Sequence, residues 1–143
     1  MQFFRVLLVC SLFGFAGCLT YQSSWEKGAN SPQTKPVEGR WKGAWLSDAN
    51  GHTGGLRAVA SHIEGNLYRF EIGATFWKVL RASYDVNFTI TPDGEKHILS
   101  GEQNLSGLMG GFYTYEGRIE EGDFIVKYKS KWDHGTFRMR KAD

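Results

Sequence analysis

The chain has 143 residues, of which 41% are hydrophobic and 15% aromatic, and its formal net charge at pH 7 is +2. This length fits one domain, and the hydrophobic content excludes a disordered coil. The small net charge gives no support for a nucleic-acid-binding protein.

The N-terminal residues are typical of a signal peptide, because Arg5 precedes an apolar run at 6–16 that is too short to span a membrane. The run ends in Phe15-Ala-Gly-Cys18, which resembles the lipobox of bacterial lipoproteins. The resemblance implies a lipoprotein-type signal peptide at 1–17, a lipid anchor on Cys18, and export to the periplasmic or cell-surface side of the cell membrane or outer membrane. Phe15 stands where the family usually has leucine, so cleavage nearby by the ordinary signal peptidase is the alternative.

Residues 18–38 are predicted to form the lipidated cysteine and a flexible tether, since the stretch is polar and is broken by Pro32 and Pro36. The only two cysteines are Cys10 and Cys18. The domain that follows, residues 39–143, therefore has no thiol, which excludes disulfides, thiolate catalysis and thiolate metal sites there.

From residue 39 onward, apolar and polar residues alternate and glycine-rich breaks recur at short spacing, which predicts an all-β domain. The clearest strand runs from Ala82 to Ile90, with alternate residues forming one apolar face. Eight strands are predicted, at about 39–47, 54–63, 67–76, 81–91, 96–104, 111–119, 123–131 and 135–141.

Eight antiparallel strands with no covering helix are most economically closed into an up-and-down barrel, because closure removes the exposed edges. A two-sheet β-sandwich is the alternative. The domain opens with Gly39-Arg40-Trp41 and closes with Phe-Arg-Met-Arg at 137–140. In these features it resembles the lipocalin and calycin group of barrels. The resemblance implies that Trp41 lies at the closed end under a basic residue of the last strand.

In such a barrel, alternate joints between strands share one rim. The second, fourth and sixth joints are ordinary polar turns with glycine, at 64–66, 91–95 and 120–123. The other four joints, at 47–55, 76–81, 104–111 and 130–135, are longer and carry histidine, tryptophan and much glycine. We expect these joints to form the barrel mouth and to carry any functional site.

Many aromatic side chains are predicted to point into the barrel. An eight-stranded barrel is either filled by its side chains or leaves room for one small ligand. The preferred hypothesis is non-catalytic binding of a small apolar or amphipathic molecule, without a cofactor; the alternative is a structural or interaction module with a filled barrel. The candidate ligand-binding residues are Trp45, Phe70, Phe76, Trp77, Tyr84, Tyr113, Tyr128 and Trp132.

Closure of the barrel is expected to bring the first joint against the seventh and to form a polar rim cluster. Its members are Asp48, His52, Asp133 and His134. These groups could bind a metal such as zinc or serve as the site of a small hydrolase. A calcium loop is excluded because Thr53 and Val59 stand where glycine and a carboxylate are required. The preferred interpretation is that the carboxylates accept backbone hydrogen bonds in their turns, so no metal site and no catalytic residue are predicted.

A basic outer face is predicted on the first, seventh and eighth strands. It suits contact with anionic lipid or an anionic polymer of the cell envelope, and the alternative is an edge kept soluble by its charges. Its residues are Arg40, Lys42, Lys127, Lys129, Lys131, Arg138 and Arg140.

Overall fold

The computed structural model describes residues 22–105 and 111–142. Eight antiparallel strands form a closed barrel in which each strand pairs with the next and the last pairs with the first. The predicted up-and-down barrel is confirmed, and the sandwich alternative is wrong. The predicted signal peptide, Cys18 and residues 106–110 lie outside the described residues. The strands are β1 (Gly39–Ser47), β2 (Thr53–Glu64), β3 (Leu67–Phe76), β4 (Leu80–Asp93), β5 (Lys96–Asn104), β6 (Phe112–Glu120), β7 (Asp123–Lys129) and β8 (His134–Lys141).

The seventh strand is shorter than predicted, because residues 130–133 form a turn. The backbone N–H of Ser130 donates to the carbonyl of Asp133 over 2.7 Å, and the Ser130 hydroxyl accepts the Asp133 N–H over 3.1 Å. Lys131 therefore belongs to the rim and not to β7.

The closed half of the barrel is filled with aromatic rings. The ring of Phe124 lies 5.8 Å from Trp41 and 5.5 Å from Phe70, measured between centroids, and Phe70 lies 5.0 Å from Phe88. The indole N–H of Trp41 donates to the carbonyl of Val37. These buried rings supply much of the apolar burial that stabilises the fold.

Lys141 of β8 lies across the Trp41 ring, with its ammonium 4.9 Å from the ring centroid. The same ammonium donates to the backbone carbonyl of Glu38. Its partly buried position lowers the pKa of Lys141, an effect that the nearby Glu38 carboxylate opposes. Lys141 of β8 thus fixes the segment that precedes β1 against the closed end of the barrel.

Gly43 allows β1 and β8 to approach closely inside the barrel wall. A Cβ atom at this position would lie 1.8 Å from the backbone carbonyl oxygen of Arg138. No side chain fits there without moving a strand.

The expected flexible tether differs from what the structure shows for residues 22–38. Residues 22–30 form a helix on the outer face of β1 and β2, where the Trp25 ring lies between two guanidinium groups, 4.9 Å from Arg40 and 5.0 Å from Arg57. Gly28 and Val37 are buried. The sequence pattern did not indicate this packing, because it depends on partners that are distant in the chain.

No helix in the described part of the chain is long and apolar enough to cross a membrane.

Candidate functional site: the cavity at the barrel mouth

The mouth half of the barrel contains an open cavity of about 660 Å³. This volume lies within the range of small-molecule sites, about 300–1,000 Å³. The lumen is therefore filled at its closed end and hollow at its mouth. The wall is formed mainly by aromatic and aliphatic side chains from β1, β3, β4, β6, β7 and β8 and from the joints at the mouth.

Seven of the eight predicted ligand-binding residues line this cavity, and the exception is Phe70. Phe70 is completely buried in the filled half, between Phe88 and Phe124, so it forms part of the core. The alternation of the strand predicted its inward direction, which the structure confirms, but gave no information on its depth. The seven residues that line the cavity are Trp45, Phe76, Trp77, Tyr84, Tyr113, Tyr128 and Trp132.

Other lining residues were not among the predicted ones. Tyr115 has the same parity as Tyr113 on β6, and Phe137 precedes the outward-facing Arg138 on β8, so the same periodicity could have identified both. Ala74 and Ala82 make the space, since their small side chains leave the wall of β3 and β4 open. Arg81 brings the only guanidinium among the described lining residues.

Four tyrosines give the apolar cavity a polar character. Within the described ranges, the hydroxyl groups of Tyr84, Tyr113 and Tyr115 have no hydrogen-bond partner in the protein, whereas Tyr128 donates to Asp133 over 3.1 Å. Burial, and then the neighbouring phenols Tyr115, Tyr113 and Tyr128, raise the pKa of Tyr84. Burial also raises the pKa of Tyr115 and Tyr128. These three groups remain neutral near pH 7 and can donate hydrogen bonds.

Asp133 joins the seventh joint to the wall of the cavity. One carboxylate oxygen accepts the hydroxyl of Ser47 over 2.5 Å, and the other accepts the hydroxyl of Tyr128. Ser47 is itself buried and accepts the backbone N–H of Asn50 over 3.3 Å. The network fixes the rim at the junction of β1, β7 and β8.

The rim cluster is only partly assembled. The first and seventh joints meet, as expected, through a 2.8 Å hydrogen bond from the Asp48 N–H to the His134 carbonyl. The imidazoles of His52 and His134 and the carboxylate of Asp48 make no hydrogen bond or ion pair within residues 22–105 and 111–142. No group of three or more possible metal ligands occurs among these residues. The expected backbone hydrogen bonds to the two carboxylates are not found in these ranges, because the Asp133 carboxylate accepts the hydroxyls of Ser47 and Tyr128 instead.

Trp45 lines the cavity on the β1 side. Its indole N–H donates to the carbonyl of Thr75 over 3.0 Å, and its ring lies 5.0 Å from Phe76. Gly54 is adjacent, and a Cβ atom there would lie 2.6 Å from the Trp45 indole nitrogen. The indole is therefore held in one orientation.

The basic residues share one side of the barrel, because β7, β8 and β1 are neighbours. Lys42 lies opposite Arg140 in the register, and Arg138 lies opposite Ile125. Arg140 is paired with the carboxylate of Asp123. Arg40, by contrast, lies against Trp25, so it is covered by the helix. The exposed part of the basic outer face consists of Lys42, Lys127, Lys129, Arg138 and Arg140.

No known protein family, curated protein or solved structure matches the chain. The geometry of the cavity is therefore the basis for a functional assignment. It defines a half-hollow, all-β barrel with one open, aromatic-walled site.

Proposed function

We propose that this protein is a lipid-anchored protein of the cell envelope that binds one small amphipathic molecule in the mouth of its barrel. The observation that carries the proposal is an aromatic cavity of about 660 Å³ whose lining includes three tyrosine hydroxyls without a partner among the described residues, those of Tyr84, Tyr113 and Tyr115. The chain itself carries out no chemical step in this role.

The two kinds of wall surface specify the ligand class. The rings of Trp45, Phe76 and Phe137 favour an apolar body, because burying apolar surface contributes about 25 cal/mol per Å². Neutral tyrosine hydroxyls favour an oxygen acceptor on the same molecule, since unpaired buried hydroxyls cost free energy that a ligand oxygen would recover. A fatty acid or similar single-chain amphiphile has both parts.

The same observations weigh against the other two functions. A purely structural module would gain nothing from a cavity of this size or from unpaired hydroxyls, because both lower the free energy of unfolding. A hydrolase at the rim would need acid and base side chains within hydrogen-bond reach of each other. Asp133 instead bonds to Ser47 and Tyr128, two groups that anchor it in the wall.

The direct test is binding of the fluorescent probe 1-anilinonaphthalene-8-sulfonate to the purified chain, followed by displacement with a fatty acid. Ala74→Trp fills part of the cavity, because Ala74 faces inward and lines it. We expect this variant to lose most of the probe signal and of the displacement.

Ala44→Trp is the matched control, since Ala44 lies on β1 with its side chain exposed on the outer face. It should bind the probe as the unchanged chain does. Equal binding by the Ala74 variant and the unchanged chain would contradict a site in this cavity.

A further inference from the structure

The direction of the helix determines which end of the barrel is near Cys18. Gln22 lines the same surface groove as residues 55–57 of β2, in the mouth half of the strand, whereas Gly28 lies against Val59, nearer the closed end. The helix therefore runs from the mouth toward the closed end. Gln22, where the described chain begins, is thus at the end of the helix that is nearer the mouth.

Chain length limits where Cys18 can be. It lies four residues before Gln22, and four residues span at most ~14 Å. Arg57 is the β2 residue of this groove that lies farthest from the mouth, so distances are counted from it. Along β2, Thr53 at the mouth rim is four residues from Arg57, or ~13 Å, and the turn at Gly65 is eight residues from it, or ~26 Å. Cys18 itself is thus within reach of the mouth rim and out of reach of that turn.

The exposed apolar side chains are concentrated at this same end. Trp77, Val79 and Trp132 are 70%, 80% and 71% exposed, although each is large and apolar. Of the eight exposed large hydrophobic residues in the described ranges, six belong to the mouth, and only Ile63 and Ile98 lie toward the closed end. We call the six the apolar lip: Leu46, Trp77, Val79, Leu80, Phe112 and Trp132.

The β3–β4 turn holds Trp77 of the apolar lip in a backbone conformation that costs free energy. Trp77 and Lys78 both have positive φ angles, 48° and 66°, and the Val79 N–H donates to the Phe76 carbonyl over 3.2 Å. Turns of this kind favour asparagine and glycine. An aromatic ring and a cation stand there instead, side by side at the tip of the mouth.

Charge also differs between the two ends. The turns of the closed end carry six acidic residues, namely Glu64, Asp93, Glu95, Glu120, Glu121 and Asp123. Three of them are paired, with Lys96, Arg118 and Arg140. The mouth presents three cations, Lys78, Arg81 and Lys131, against the two rim carboxylates, and the Lys131 ammonium lies 4.9 Å from the centroid of the Trp132 ring. The mouth therefore has a small excess of positive charge and the closed-end turns an excess of negative charge, so an anionic surface would favour contact with the mouth.

We propose that the apolar lip docks on the phospholipid bilayer that holds the Cys18 anchor, so that the cavity opens directly onto the membrane surface. The tryptophans lie at the interface between headgroups and acyl chains, where such side chains are favoured, and the cations face anionic headgroups. This docking rests on the proposed lipid anchor, and it makes the bilayer the source or destination of the cavity's ligand.

The test uses the full chain purified from membranes and reconstituted into vesicles of phosphatidylethanolamine and phosphatidylglycerol, with or without bromine on the acyl chains. Brominated chains quench the fluorescence of tryptophans that reach the bilayer. We expect quenching in the unchanged protein and the loss of most of it in the double variant Trp77→Phe, Trp132→Phe. Trp25→Phe should keep the quenching, because Trp25 lies between two arginines on the outer wall.

A second pair of variants tests the docking itself. Val79→Glu with Leu80→Glu should reduce the quenching at least threefold, whereas Ile63→Glu with Ile98→Glu should leave it unchanged. The control pair makes the same substitution at exposed apolar residues of the closed end. Both pairs replace exposed side chains, and thermal unfolding measured by circular dichroism checks that each variant is folded.

The outcomes separate this proposal from the anchor on which it rests. If the protein does not stay with the vesicles and Cys18 carries no lipid by mass spectrometry, the proposed anchor fails. If it stays but the two tryptophan substitutions leave the quenching unchanged, the docking of the lip is wrong. Docking through the basic outer face would also overturn the docking of the lip. It would appear as loss of quenching in Lys127→Glu with Arg138→Glu but not in Val79→Glu with Leu80→Glu.

Discussion

Two tyrosine-to-phenylalanine substitutions in the same cavity should change stability in opposite directions. Tyr115 is 1% exposed, and its hydroxyl has no partner within the described residues, whereas the hydroxyl of Tyr128 donates to the carboxylate of Asp133. Both substitutions remove one oxygen and leave the ring. The difference between them therefore measures the partner and not the packing.

The magnitudes follow from the hydrogen bonds. Tyr115→Phe removes part of the penalty of a buried, unpaired hydroxyl, about 1–3 kcal/mol, so we expect the free energy of unfolding to rise by about 1 kcal/mol. Tyr128→Phe removes a bond to a charged group and should lower the free energy of unfolding by about 2 kcal/mol. One kcal/mol corresponds to roughly 4 °C in Tm for a domain of this size.

Thermal and urea unfolding of the unliganded protein, followed by circular dichroism, measure both changes. The expected result is a gap of about 3 kcal/mol between the two variants. If Tyr115→Phe destabilises the protein as much as Tyr128→Phe, the Tyr115 hydroxyl has a partner, and the reasoning on unpaired phenols is refuted.

Three further predictions concern the scaffold. Gly43→Ala should lower the free energy of unfolding by at least about 3 kcal/mol, measured by chemical denaturation, because the added Cβ would meet the β8 backbone. Gly55→Ala is the control and should be nearly neutral, since the nearest atom to its Cβ lies at 3.8 Å. Similar effects of the two substitutions would contradict the close approach of β1 and β8. Trp25→Ala should raise the rate of amide hydrogen exchange in residues 22–30 roughly tenfold, because two cation–π contacts are lost. An unchanged exchange rate would show that these contacts do not stabilise the helix. Because the pKa values of Tyr115 and Tyr128 are raised in the folded state, their contribution to stability is fully present below about pH 10, the ordinary tyrosine pKa, and is lost as the pH rises above it. Ultraviolet titration should show these phenols ionising only when the protein unfolds. Ionisation of both phenols in the folded protein near pH 10 would contradict the raised pKa values.

Much of the barrel could be predicted because its strands obey a local rule. Residues that alternate along β4 between a wet and an apolar face, such as Tyr84 and Asp85, reveal their direction whatever else the chain does. The contact between the first and last joints also followed, because closure leaves those two strands no other neighbour. Strand order and side-chain direction therefore required little knowledge of distant contacts.

Depth in the lumen could not be predicted in this way. Phe70 and Tyr84 both point inward, yet one is core and the other lines the cavity, because their height depends on how strongly the strands tilt and shift around the barrel. The helix at 22–30 was missed for a related reason. Its stability comes from Arg40 and Arg57, far along the chain, and not from an apolar stripe of its own.

The central claim is that the cavity at the mouth holds an amphipathic molecule in a lipid-anchored protein. Native mass spectrometry of the chain isolated from membranes tests both parts in one measurement. The expected spectrum shows an acyl modification on Cys18 and, in addition, a non-covalent mass that is absent from the Ala74→Trp variant. A lipidated chain with no bound mass, or with one that Ala74→Trp retains, would contradict ligand binding in this cavity.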